Sequence, residues 1–172
     1  MLREEGPAGL AADRMARRLG VSRGSFYWHF ANALDFEAAI LGAWEERWTS
    51  RVIAAVEEEA ASPRSRLRSL ILKTGGEDAS VYASAKRMAK QHPDLQAILN
   101  QVDERRVAFV RRILLDAGLS EPRATIKARI VYAWAIGQML TSTSGEGVPD
   151  ELADCLTEFA LEIEAEEGER SR

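Results

Sequence analysis

The stretch from Gly20 to Phe30 constrains the fold more than any other part of the chain, because a helix stop is followed at once by a helix start. Met15, Ala16 and Leu19 have the spacing of a short amphipathic helix, and Gly20 follows where a positive φ is common. Ser22 suits an N-cap, whose hydroxyl accepts a hydrogen bond from the backbone N–H of Gly24 or Ser25. Two short helices joined by so tight a turn predict a helix-turn-helix.

The second of these helices has an unusual predicted outer face. Val21, Phe26 and Phe30 are predicted to point into a small core, which leaves six residues outside: Arg23, Gly24, Ser25, Tyr27, Trp28 and His29. An arginine can bind a guanine edge or a phosphate, hydroxyls and imidazoles can donate to phosphate oxygens, and a glycine lets backbone approach closely. Alternatively, the aromatic residues are core residues of a helical domain. The combination of all six favours contact with a DNA duplex.

These residues also resemble a known recognition helix. Gly-Val-Ser-Arg-Gly-Ser-Phe-Tyr-Trp-His-Phe is similar to that of the TetR family of bacterial transcriptional regulators, whose pattern is close to Gly-Val-Ser-(Lys/Arg)-Gly-(Thr/Ser)-aromatic/Leu-Tyr-x-His-Phe. The resemblance is strong from about Gly6 to Ile40, and beyond that it extends only to length and helical plan. It implies that the six outer residues face DNA. It also implies a homodimer, most simply a repressor, that a small-molecule effector releases from a palindromic operator.

The charges are divided unevenly along the chain. The formal net charge is -4, but residues 1–30 carry five arginines against three acids, whereas residues 31–172 carry 18 basic against 24 acidic residues. A basic head on an acidic body indicates that contact with DNA is confined to one end.

The rest of the chain has only helical signals, so we predict an all-α protein. An N-terminal helix-turn-helix DNA-binding head is expected in residues 1–45, and a C-terminal helical ligand-binding and dimerisation domain in residues 46–172. Asn32, with Asp35 at N3, suits the start of a long helix over about residues 33–60 that links the two. The last helix is predicted from about Pro149 to Glu167, and the glutamate-rich tail from Glu162 to Arg172 is expected to be a fraying, solvated end.

The last two helices carry apolar stripes that a second copy could cover. The stripe residues are Ile126, Ile130, Ala133, Gly137, Leu152, Leu156 and Phe159. Ala133 and Gly137 are small and one turn apart, which would let another helix approach closely. Ordinary packing within one chain explains such stripes as well. The family resemblance, and the need of a single head for a second half-site, favour a four-helix bundle between two copies.

Large apolar side chains recur on the helices between the head and these stripes. They are Trp44, Trp48, Tyr82, Met88 and Phe109. Each one alone is typical of a core, but together they predict an apolar ligand cavity, and the resemblance implies a pocket among the same helices. Its ligand and that ligand's charge stay open.

The sequence contains no pattern for catalysis, and we expect no enzyme, cofactor or metal site. It has two histidines, neither in a helical metal-binding motif, and one cysteine, Cys155, which we expect to be a buried apolar residue. The lone cysteine and the lack of an apolar run long enough to span a bilayer predict a cytoplasmic protein.

The N-terminus departs from the family pattern. Only Leu2 to Glu5 could belong to the usual first helix, so most of that helix is expected to be missing, either because the start codon is placed too late, which is the simpler explanation, or because the chain is a genuinely short form. Ala11 and Ala33 occupy positions that usually contact phosphates. The alternative function is therefore a helical ligand-binding dimer whose truncated head no longer binds DNA.

Overall fold

The computed structural model describes residues 12–74, 79–90, 92–141 and 147–162, and every regular element in these ranges is helical. The all-α prediction is confirmed. In chain order the elements are α1 (Ala12–Leu19), α2 (Arg23–His29), α3 (Ala33–Glu45), a π-helical turn (Glu46–Ser50), α4 (Arg51–Glu59), α5 (Pro63–Thr74), α6 (Ala79–Ala89), α7 (Pro93–Asp116), α8 (Glu121–Thr141) and α9 (Asp150–Leu161). Residues 1–11, including Ala11, and the Gly75–Gly76 pair lie outside the described residues.

The turn between α1 and α2 has the predicted construction. Gly20 takes a φ of +68°, a backbone conformation that residues with a Cβ rarely adopt. The backbone N–H of Ser25 donates to the Ser22 hydroxyl at 3.0 Å, which satisfies one of the unpaired donors at the start of α2. The sequence therefore specifies both ends of this turn locally.

Two apolar residues of the turn lie outside the head core. Leu19 is 61% exposed and Val21 is 42% exposed, so the prediction that Val21 points inward is wrong. Val21 donates its backbone N–H to the Ala16 carbonyl at 3.0 Å, which closes the end of α1, and its side chain is not part of the head core. The core beneath α2 instead consists of Ala16 and a group of aromatic rings.

Phe26 is the centre of that aromatic group. It is 3% exposed, and its ring lies 5.3 Å from the Phe30 ring and 5.0 Å from the Phe36 ring, in tilted and edge-on arrangements that aromatic rings favour. Phe36 lies in the first turn of α3, so this contact fixes the angle between α2 and the helix that leads to the body.

The linking helix is continuous from Ala33 to Glu59, as predicted, but a π-helical turn interrupts it. Asn32 caps its start by accepting from the Asp35 N–H at 2.9 Å, and the Asp35 carboxylate accepts from the Ala31 N–H at 3.0 Å. This is the expected capping-box arrangement, shifted by one residue. Neither cap nor periodicity reveals the π turn, because it adds one residue without ending the helix.

Two arginines of α7 hold the π turn in place. Arg105 donates through Nη1 to Glu45 Oε1 at 2.5 Å and to Ser50 Oγ at 2.9 Å. Arg106 donates through Nε to Thr49 Oγ1 at 2.8 Å and through Nη2 to the Trp48 carbonyl at 3.3 Å. The π turn is thus tied on two sides to the longest helix of the body.

The body core is formed by α4, α5, α7, α8 and α9, with α8 packed along α7 and α9 packed on α5 and α8. This core is aliphatic, with Leu67, Ile113 and Leu114 fully buried. Gly118 ends α7 with a φ of +94°, and Leu119 N–H donates to the Leu114 carbonyl at 3.1 Å. Glycine suits this left-handed helix ending because it has no Cβ.

The last helix ends earlier than predicted. α9 stops at Leu161, and Glu162 has an extended ψ of 117°. Residues 163–167 lie outside the described residues. Within the described ranges, no helix combines the length and apolar character needed to cross a bilayer.

Candidate nucleic-acid interface and ligand cavity

The outer face of α2 is as open as the sequence predicts. All six predicted residues, Arg23, Gly24, Ser25, Tyr27, Trp28 and His29, are exposed. Trp28 is 81% exposed, the largest exposure among the large apolar residues described. Exposing so much indole surface is unfavourable in water, so this face is well suited to contact a partner.

Arg23 is oriented by its neighbours but remains accessible. Its Nε lies 3.2 Å from Asp13 of α1, and its guanidinium lies 5.6 Å from the centre of the Tyr27 ring. The Arg23 and Asp13 side chains are 68% and 57% exposed, and an ion pair this exposed is worth little. A phosphate or a guanine edge could therefore replace Asp13 at low cost.

Gly24 is not required by packing within the head. A Cβ added at this position would meet only the Ser22 hydroxyl, at 3.7 Å, which is ordinary van der Waals contact. Glycine in a helix is less stable than alanine by about 1 kcal/mol. Nothing in the described part of the head therefore requires a glycine here, and the missing side chain would allow close approach of a DNA backbone.

The predicted dimer residues form an exposed apolar face on α8 and α9. Ile126 is 60% exposed, Ile130 43%, Leu152 36% and Phe159 44%. Ala133 and Gly137 are also exposed, and no atom lies within 4 Å of a Cβ built on Gly137. We call these six residues the α8–α9 face.

Two residues of α9 differ from expectation. Leu156 lies in the core of the body rather than on the α8–α9 face. Cys155, which we expected to be buried, is exposed and is not in a disulfide. It occupies the same side of α9 as Leu152 and Phe159, which lie three and four residues away, so the apolar stripe there reaches solvent rather than the core.

A cavity of about 70 Å³ opens between the π turn, α4, α5, α7 and α8. Its walls include Trp48, Phe109, Val131, Trp134 and Met139. The lining is mainly aromatic and aliphatic, as in sites that bind small apolar molecules.

The predicted ligand-binding residues lie in two different places in the structure. Trp48 and Phe109 line the cavity, whereas Trp44, Tyr82 and Met88 belong to a second core shared with the head. Trp44 packs there, with its ring 6.0 Å from the Tyr82 ring. Sequence periodicity cannot separate the two groups because both lie on buried helix faces. Trp134 was not predicted to line the cavity, because the apolar stripe on its helix was attributed to the dimer interface.

A polar network lies behind the cavity wall. The Tyr132 hydroxyl donates to Asp103 Oδ1 at 2.6 Å, and Lys86 donates to Asp103 Oδ2 at 2.6 Å. Burial, followed by the hydrogen bond to Asp103, raises the pKa of Tyr132 above its usual range. Tyr132 therefore stays a neutral donor, and its hydrogen bond joins α8 to α7.

Nothing in the described residues suggests a metal centre. No three His, Cys, Asp or Glu side chains come close enough together there to hold an ion.

Comparison with known proteins identifies both the N-terminal segment and the fold. Residues 1–33 match the family model for bacterial regulatory proteins of the tetR family. No curated protein matches the chain. A solved transcriptional regulator of the TetR/AcrR family from Thermobifida fusca has a TM-score of 0.64 at 16% identity, over 93% of this chain and 90% of its own. Another, assigned to the TetR-family transcriptional regulators of Rhodococcus sp., has a TM-score of 0.62 at 20% identity, over 93% and 89%. These two likenesses show a shared fold along nearly the whole chain.

Proposed function

We propose that the chain is a homodimeric repressor of the TetR family that a small-molecule effector releases from a palindromic operator, a proposal supported by the match of residues 1–33 to the family model and by the shared fold. The observation that carries the proposal is the outer face of α2, where Arg23, Tyr27 and an 81% exposed Trp28 stand together. A helix this short has little reason to expose that set unless a duplex covers it.

The basic residues of α1 support the proposal that the outer face of α2 contacts DNA. Arg14, Arg17 and Arg18 are exposed on the helix that precedes the turn. Arginines beside a recognition helix can bind phosphates and fix the register of the helix in the groove, without reading sequence themselves. The sequence predicted a basic head as a whole but did not assign these three residues.

The α8–α9 face supports the homodimer. A two-fold interface uses the same patch on both copies, and small residues at its centre allow two helices to come close. Ala133 and Gly137 meet that need, and the larger exposed residues on either side would become buried. Two heads held by one such bundle would meet two half-sites of an operator.

The cavity supports release by an effector. Trp48 and Thr49 belong to the π turn and line the cavity, and the helix that contains this turn begins directly after α2. A molecule that fits the cavity better in one position of the linking helix than in another would shift the spacing of the two heads. The π turn, held by Arg105 and Arg106, is the element through which we propose that this shift passes.

The test is a binding titration of the full chain against the DNA upstream of its own coding sequence, followed by fluorescence anisotropy. Arg23→Ala should weaken binding by about 5- to 150-fold, the range expected for one bidentate base contact. Arg51→Ala is the matched control, since Arg51 is also exposed (74%) and paired with a single acid, Glu46. It should change affinity less than about twofold, because it lies on the linking helix.

Equal losses for the two variants would show that α2 does not make the specific contact. If the unaltered chain forms dimers but binds none of this DNA above its non-specific level, the alternative function, a ligand-binding dimer without a DNA-binding head, is the better description.

A further inference from the structure

The two hydroxyl groups of the π turn are used differently. Ser50 Oγ accepts from Arg105 Nη1 at 2.9 Å and donates to the Glu45 carboxylate at 3.0 Å, so both of its hydrogen-bonding roles are filled. Thr49 Oγ1 also accepts from an arginine of α7, Arg106 Nε, at 2.8 Å. Among the described residues, however, the Thr49 hydroxyl has no acceptor for its own proton. The first set is a complete arginine–hydroxyl–carboxylate chain, and the second ends at the hydroxyl.

The unused donor belongs to the wall of the cavity. Thr49 and Arg106 both line the cavity, and Thr49 is only 2% exposed. The other hydroxyls of the described lining, those of Thr74 and Tyr132, already donate to acceptors within the protein. A buried donor without an acceptor is unfavourable, and the hydrogen bond from Arg106 polarises the Thr49 hydroxyl and strengthens it as a donor. An acceptor inside the cavity would therefore find one strong donor on the wall.

The charges on the wall favour a negatively charged acceptor. Lys73 and Arg106 are the charged residues of the described lining, and none of the described lining residues is acidic. The acid that pairs with Lys73, Glu59, lies outside the lining, and its side chain is 54% exposed. Because so exposed an ion pair is worth little, an anion in the cavity could replace Glu59 at low cost. A cation would meet two positive charges and no carboxylate.

The size of the cavity limits the rest of the ligand. Its volume is about 70 Å³, whereas an apolar cavity of about 150 Å³ is needed to hold benzene. The rings of Trp48 and Phe109 already have the guanidinium groups of Arg47 and Arg112 over them, each 5.2 Å from the ring centre. These rings therefore serve as apolar walls for a short aliphatic chain rather than as faces on which an aromatic ligand stacks.

We propose that the cavity binds a short-chain carboxylate of about two to four carbons. Its carboxylate accepts the Thr49 proton beside the Arg106 guanidinium, and its chain lies against the apolar wall. This arrangement repeats the chain from Arg105 through Ser50 to Glu45, with the ligand in the place of Glu45. The inference rests on the proposed role of this cavity as the effector site. It gives the ligand a direct hydrogen bond to the π turn, through which we propose that release passes.

The experiment compares three molecules of similar size by saturation-transfer NMR titration of the full chain at pH 7 and constant ionic strength. They are propionate, which is an anion at this pH, propionamide, which is neutral, and propylammonium, which is a cation. Propionate should bind about tenfold more tightly than the amide, because hydrogen bonds to a charged acceptor are stronger, and the cation should bind more weakly still. Equal or tighter binding of the amide or the cation, or no measurable binding of propionate, would overturn the proposal. Benzoate has the same charge but a larger body, so tighter binding of benzoate than of propionate would also contradict it.

A pair of identical substitutions locates the carboxylate. Thr49→Val keeps the shape of the side chain but removes the hydroxyl, and it should weaken propionate binding by about tenfold. Thr74→Val makes the same change at a lining residue whose proton is already bound by the Ile71 carbonyl, and it should change binding less than about twofold. Circular dichroism checks that Thr49→Val folds, and Thr49→Ala replaces it if it does not. Equal losses at the two positions, or no loss at Thr49, would overturn the proposal.

Binding is measured without DNA, so its outcome is separable from that of the proposed function. Selective binding of propionate by a chain that ignores DNA would support the ligand class and contradict the repressor. Specific DNA binding by a chain that does not prefer propionate would do the reverse.

Discussion

Ile126→Ser should weaken the proposed dimer strongly while leaving the fold of each copy intact. Ile126 is 60% exposed on α8, so the isolated chain loses little packing when its side chain is shortened and made polar. In a two-fold dimer the same residue occurs twice, and each copy would be covered by the partner. The substitution therefore acts on assembly rather than on folding.

The size of the effect follows from the area that remains to be buried. Full burial of an isoleucine contributes about 1.5 to 3 kcal/mol, so burying the 60% that is still exposed contributes about 0.9 to 1.8 kcal/mol per copy. Two copies give about 1.8 to 3.6 kcal/mol, which corresponds to a rise of about 20- to 400-fold in the dimer dissociation constant.

Sedimentation equilibrium measures this constant directly, and Leu19→Ser is its matched control. Leu19 is 61% exposed, almost the same as Ile126, but it lies in the head. The Cys155 thiol gives a second readout, because it lies beside Leu152 and Phe159 and should react more slowly with a thiol reagent in the dimer. If Ile126→Ser leaves the dissociation constant and the thiol rate unchanged, or Leu19→Ser raises the constant equally, the dimer does not use the α8–α9 face.

Three further predictions concern the head and the body. Gly24→Ala should raise thermal stability, by up to about 1 kcal/mol, yet weaken DNA binding, and a variant that binds DNA as well as the wild type would show that no backbone approaches there. Ser22→Ala should lower the free energy of unfolding by about 1 kcal/mol in urea melts, through loss of the α2 cap; an unchanged melt would contradict this role. The hydrogen bond from Arg68 holds the pKa of Asp154 below its usual range. This pair therefore stabilises the fold fully above about pH 4 and loses its effect as pH falls through the lower folded pKa, so Asp154→Asn should flatten the acid side of the melting-temperature profile.

The head was predictable from sequence because its signals are local. The positive φ of Gly20 and the caps at Ser22 and Asn32 each depend on one residue and its near neighbours. The family resemblance added the role of the outer face of α2, which periodicity alone does not give.

The cavity was only partly predictable because it depends on which buried face meets which. Trp44 and Trp48 are one turn apart on the same helix, yet Trp44 enters the core shared with the head and Trp48 lines the cavity. Trp48 lies within the π turn, which changes the direction of its side chain and of the side chains that follow. Leu156 and Cys155 show the same limit on α9, where a small rotation decides which of two adjacent residues is buried.

Because of the π turn, a one-residue deletion has different effects at different places in the linking helix. A π turn holds one residue more than the α-helix on either side requires, so removing one residue from Glu46–Ser50 would restore regular α-helix without changing the rotational phase of its two ends. Removing one residue from α3 instead would rotate the head by about 100° and draw it about 1.5 Å toward the body. A one-residue deletion in the π turn would therefore preserve the angle between α2 and the α8–α9 face. The same deletion in α3 would change that angle.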